Sequence, residues 1–80
     1  MRTSAQLVLT LPRADHIDLG IFDVAGRRVA TVATGLRAAG RTTLIWDGKL
    51  TGGEAAPSGV YRAVLRTSDA RISRSLVLAH

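Results

Sequence analysis

The sequence predicts an all-β fold, a small antiparallel sandwich or barrel of about six to seven strands. Three observations predict it. Apolar residues alternate with other residues over short stretches, which is the period of a half-buried strand. Turn signals built on Gly, Pro, Asp and Ser recur at short, regular intervals, as in sandwiches and small barrels. No window of helical length keeps a 3.6-residue period: the nearest, Val29 to Ala39, is rich in Thr and Val and is interrupted by Gly35.

Leu7, Leu9 and Leu11 alternate with Val8 and Thr10 in a first strand, and Pro12 ends it by withholding a ladder donor. Ile17, Leu19 and Ile21 alternate with Asp18 and Gly20 in a second strand that continues through Phe22. Asp23-Val24-Ala25-Gly26 reads as a tight turn, because Asp23 can accept bonds from the backbone ahead and Gly26 tolerates positive φ. A third strand, Arg28 to Val32, follows with Val29 and Val32 facing in, and so short a turn makes the pair an antiparallel hairpin. Gly35 to Gly40 reads as a break. Thr42, Leu44 and Trp46 then share one face of a fourth strand, with Thr43 and Ile45 on the other. Both faces are apolar enough to place this strand centrally in a sheet.

Asp47-Gly48 stops the fourth strand. Lys49 to Ser58, with Gly52, Gly53 and Pro57, is the longest loop. Gly59 opens a fifth strand in which Tyr61, Ala63 and Leu65 alternate with Val60, Arg62, Val64 and Arg66. After a turn at Ser68-Asp69-Ala70, the last strand puts Ile72, Arg74, Leu76 and Leu78 on one side and Ser73, Ser75 and Val77 on the other.

The 80 residues suit one domain, 1–80, with a thin core; a chain this short buries only about 60% of the surface it exposes when unfolded. An apolar fraction of 46% is too high for disorder. The absence of cysteine rules out disulfides and cysteine-ligated zinc. No apolar run approaches the roughly 20 residues that a membrane-spanning helix needs, so membrane insertion is not expected. Met1-Arg2-Thr3-Ser4 leads directly into strand alternation without a signal-peptide pattern, so export would use a signal carried elsewhere. The net charge is +5, from ten arginines and Lys49 against six acids. The positive residues, among them Arg13, Arg27, Arg28, Arg37, Arg41, Arg62, Arg66, Arg71 and Arg74, are scattered over strands and turns. Phe22, Trp46 and Tyr61 are too few aromatics for a base-stacking platform, so nucleic acid is not an expected partner.

Catalytic chemistry is not expected either. His16 and His80 are the only histidines, and no Ser-His-acid set with activating context can be drawn from them. Asp15, Asp18, Asp23, Asp47, Glu54 and Asp69 fall mostly in turns, and no D-x-D-x-D run points to calcium. Thr51-Gly52-Gly53-Glu54 lacks the lysine and helix of a phosphate loop. The expected set of catalytic, metal and cofactor residues is therefore empty. The expected structural residues are core anchors Trp46, Tyr61 and Phe22, with Asp23, Gly26, Asp47, Gly48 and Gly59 at turn and motif positions. Tyr61 should pack beside Trp46 or bond a loop carbonyl. Asp47 should bond the loop backbone that follows it.

Four blocks occur in an order that resembles a bacterial module. They are Ile17 to Val29 with its Phe22-Asp23…Gly26-Arg27 core; Gly35 and Gly40 followed by Leu44-Ile45-Trp46-Asp47-Gly48; Pro57-Ser58-Gly59-Val60-Tyr61; and Ser75-Leu76-Val77-Leu78. Over residues 7 to 79 the chain resembles the immunoglobulin-like domain of the flagellar hook-capping protein type, and the blocks equally suit the closely similar type IX secretion C-terminal sorting domains. The resemblance implies an immunoglobulin-like β-sandwich and a non-enzymatic accessory module.

Under the sorting branch, the module would sort or anchor an exported bacterial protein in the periplasm, outside the cell or at its surface. Its basic final strand is met in part by Arg71 and Arg74. Under the architectural branch, it would be a structural, self-assembling or scaffold domain. Gln6 to Leu11 and Ile72 to Leu78 would then be its pairing edges. Either way the expected partners are proteins: secretion or assembly machinery, domains of a parent chain, or a second copy. A weaker alternative is carbohydrate or surface binding through Lys49 to Ser58.

Overall fold

The computed structural model describes residues 4–79. It holds six antiparallel strands: β1 (Ala5–Leu11), β2 (Asp15–Phe22), β3 (Arg28–Arg37), β4 (Gly40–Trp46), β5 (Gly59–Arg66) and β6 (Arg71–Leu78). They form the two sheets of a sandwich. One is the pair β1-β4; the other has four strands in the order β3-β2-β5-β6. The expected all-β architecture is the one observed.

The hairpins are made by their turns. In the β2–β3 turn, the Asp23 carboxylate accepts from the amides of Ala25 and Arg27, both at 3.0 Å, and the Gly26 amide donates to the Asp23 carbonyl at 3.0 Å. Gly26 sits at φ 84°, where a side chain would be strained. In the β5–β6 turn, the Thr67 hydroxyl accepts from the amides of Asp69 and Ala70. The links Pro12 to Ala14 and Ala38-Ala39 instead carry the chain from one sheet to the other.

Two elements differ from expectation. Gly35 does not break β3: it pairs with Ile17, and the strand continues to Arg37. Gly35 can stay in the ladder because it adopts φ 103° without a side chain to clash. The inward face of β3 is also not carried by Val29 and Val32 alone. Leu19 pairs with Ala33 while Gly20 pairs with Thr31, and Ile21 pairs with Ala30 while Phe22 pairs with Arg28. Val32 and Val29 are thus the extra residues of two bulges, which advance the pleat by one residue each. The fully buried residues are Ala30 and Ala33; the valines pack partly buried against the core.

β4 is not central either. It pairs only with β1, and Ile45 is 62% exposed. The chain leaves the larger sheet at Ala38-Ala39, so β4 has no neighbour on the side away from β1 among the described residues.

The core lies between the sheets. Leu9 and Leu11 from β1 and Trp46 from β4 meet Ile17, Leu19 and Ile21 of β2, Tyr61, Ala63 and Leu65 of β5, and Leu78 of β6. No buried polar or charged side chain occurs among the described residues.

Candidate interaction surfaces

The end of the sandwich that holds the long loop is sewn shut. Trp46 is 3% exposed and meets Tyr61 edge to face, with ring centroids 5.3 Å apart at 67°. Each ring donates its polar hydrogen to the loop: Trp46 Nε1 to the Lys49 carbonyl at 2.9 Å, and the Tyr61 hydroxyl to the Pro57 carbonyl at 2.6 Å. Asp47 Oδ1 accepts from the Lys49 amide at 3.0 Å. Gly48, buried at φ 77°, offers its carbonyl to the Ala56 amide. Lys49 and Ala55 form a bridge, and the Thr51 amide and hydroxyl both donate to the Val29 carbonyl. Leu50 and Ala56 pack into or against the core, a contribution hidden in the sequence because the surrounding Gly and Pro read as loop. Gly59 opens β5, facing Leu78.

The outer face of the larger sheet carries an arginine device. Phe22, expected among the core anchors, lies outside the core cluster and is half-buried on this face. Even-numbered positions of β2 point away from Leu19 and Ile21, so Phe22 cannot join them. The Arg28 guanidinium sits 5.2 Å from the Phe22 ring centroid, donates to both carboxylate oxygens of Asp18 at 2.8 and 3.2 Å, and reaches the Thr31 hydroxyl. A Cβ on Gly20 would come within 2.7 Å of the guanidinium carbon, so the glycine opens the path from Phe22 to Asp18. The hydrogen bond from Arg28 holds the Asp18 carboxyl below its ordinary value and raises Arg28 in turn. This set escapes a residue-by-residue reading because Arg28 pairs with Phe22 and its side chain runs back along β2, past Gly20, to Asp18 four positions away. On the same face Arg66 stands between Asp18 of β2 and Arg71 of β6, so attraction to the first opposes repulsion from the second.

The turn end is held by a clasp between the sheets' connections. The Arg13 guanidinium bridges to Asp69 at 2.8 Å, and the Ser68 hydroxyl donates to Asp15 Oδ2 at 2.8 Å. The Ser68 hydroxyl bond lowers the Asp15 carboxyl. Asp23 is lowered chiefly by the Arg27 amide.

Along one side the sandwich is open. Two strands cannot cover four, and the shortfall falls on β6. Its inward positions run from Leu78, 1% exposed, through half-buried Leu76 to exposed Arg74 and to Ile72 at 42%. A cleft of about 960 Å³ follows, walled by β1 from Ala5 to Thr10 and by β6 from Ile72 to Val77, with Leu19, Ala63 and Leu65 as its floor.

Among the described residues no three His, Asp or Glu side chains gather as metal ligands. His16 is exposed, and His80 lies outside the described residues. The loop 49–58 carries no aromatic ring that could stack on a sugar.

A family model described as the FlgD Ig-like domain matches residues 2–71. No curated protein matches the chain. The matched stretch takes in β1 to β5 and stops at Arg71, so β6 lies almost wholly beyond it.

Proposed function

The chain belongs to the FlgD Ig-like domain family, a family of non-catalytic β-sandwich modules, and from that footing we propose that it is an attachment module without enzymatic activity. It sorts or anchors an exported bacterial protein, and secretion or surface machinery reads its fold and exposed strands. One observation supports this most directly. Among the described residues, the buried side chains that carry a polar group are Trp46 and Tyr61, and both groups are used to hold the loop. Meanwhile backbone edges and the apolar side chains Val8, Ile45, Val60 and Val77 stay exposed.

Fusing residues 1–80 to a reporter in a type IX secreting bacterium tests the sorting role. Reporter on the surface or in the medium supports it; reporter held in the periplasm counts against it.

A second reading is favoured by the open β1–β6 side: a structural part of an assembly that joins its neighbour through an edge strand. Static light scattering on mixtures of the chain with its parent assembly reads this directly. A chain that stays a monomer at high concentration and enters no complex would sink it.

A further inference from the structure

We infer that the cleft between β1 and β6 receives an extended strand from a partner protein, one with apolar residues at alternate positions and an acidic side chain facing Arg74. The inference rests on the reading that this domain acts through protein contact, and it adds the site and the chemistry of the occupant.

The backbone of β1 sets the shape of the occupant. β1 pairs with β4 along one edge, and its other edge carries no strand among the described residues. That edge points over the inward face of β6, which the two-stranded sheet does not reach. A strand added there would lie about 4.8 Å from β1 and about 10 Å above the larger sheet. It would turn the pair into a three-stranded sheet and cover Ile72, Arg74 and Leu76. The lining run Ala5 to Thr10 accommodates roughly 20 Å of extended chain. The Arg13–Asp69 and Asp15–Ser68 clasp lies along the chain beyond the Thr10 and Ile72 end of the cleft.

Side-chain chemistry sets its composition. Alternate residues of the added strand point into the cleft, toward Leu19, Ala63, Leu65 and half-buried Leu7, so they must be apolar. Arg74 lines the same cleft between Ile72 and Leu76 and has no ion-pair partner among the described residues. The inward residue over it should therefore be acidic. This also argues against a second copy as the occupant. The sheet-edge strands β1, β3, β4 and β6 contain no Asp or Glu, and β6 would bring arginines against Arg74.

The test uses the 80-residue chain and two pools of seven-residue capped peptides. One pool has Val or Leu at odd positions, Ser or Thr at even positions, and Glu scanned through the odd positions; the other carries Lys in place of Glu. Titration is followed by NMR, with amide exchange locating the bound peptide. The expected result is one Glu register binding at least tenfold tighter than its Lys counterpart and protecting β1 amides. Arg74→Glu should invert the preference. Arg74→Ala should abolish it, which keeps the test decisive if the charge-reversed chain folds poorly. The proposal is overturned by the absence of binding at millimolar peptide, by equal binding of Glu and Lys peptides, by protection at β3 or β4 instead, or by β1 protection arising from a homodimer. Failure here with a reporter still exported would remove the cleft and leave the sorting role standing.

Discussion

The two flanks of this sandwich obey opposite rules. At the loop end, the indole hydrogen, the phenol hydrogen and the Asp47 carboxylate each meet a backbone group, and Leu50 and Ala56 close the core beneath. Along β1 and β6 the outer backbone edges pair with no strand among the described residues, and an inward arginine faces an open cleft. Stability in so small a domain is concentrated where hydrogen bonds and apolar burial coincide. The flank that lacks both is the one that can be given over to contact. The contrast predicts that substitutions will be costly at the first flank and nearly silent at the second.

The largest effect should come from Trp46→Ala, at about 3–5 kcal/mol, a large share of the total stability of a domain this size. Urea unfolding measures it, and an unchanged midpoint would erase the contrast. Tyr61→Phe keeps the edge-to-face packing and removes only the bond to Pro57, so about 1 kcal/mol is expected in the same assay.

Acid should act at the turns and the clasp. Asp15, Asp18 and Asp23 are all held below the ordinary carboxylate value by their hydrogen-bond donors. Their contribution is therefore present at neutral pH and is lost as pH falls below about 4, through the lowered native values. Urea midpoints should drop steadily in that window, and Asp18→Asn should flatten part of the drop. The smallest effect should be at the open flank: Arg74→Ala should shift stability by no more than about 0.5 kcal/mol. A loss above 2 kcal/mol would show that the flank is structurally engaged after all.

How much of this the sequence discloses depends on whether a residue's neighbours are local. β2, β5 and β6 are legible because their alternation is unbroken, and Asp23 and Gly26 mark the hairpin plainly. β3 is misread because the bulges at Val29 and Val32 put its buried alanines out of step with a period of two. The apolar faces of β4 suggest a central strand, yet sheet position depends on which strands pair, and no local pattern records that the chain crosses sheets at Ala38-Ala39. Trp46 and Tyr61 are recognisable as anchors, whereas Phe22 misleads because its strand parity, not its hydrophobicity, decides its face. The cleft is invisible in the sequence, since it arises from a count of two strands against four.

The pairing of β1 with β4 also sets an order of events in time. The β2–β3 and β5–β6 hairpins bring together residues close along the chain, whereas every β1–β4 pair joins positions about 30 to 40 residues apart. Such distant pairings form slowly, and the β2–β5 pairs lie 40 to 48 residues apart, so the smaller sheet, like the join between the two hairpins, should assemble late. Until it does, the alternating leucines of β1 lack their cover, and a nascent chain is most open to capture or aggregation at that strand.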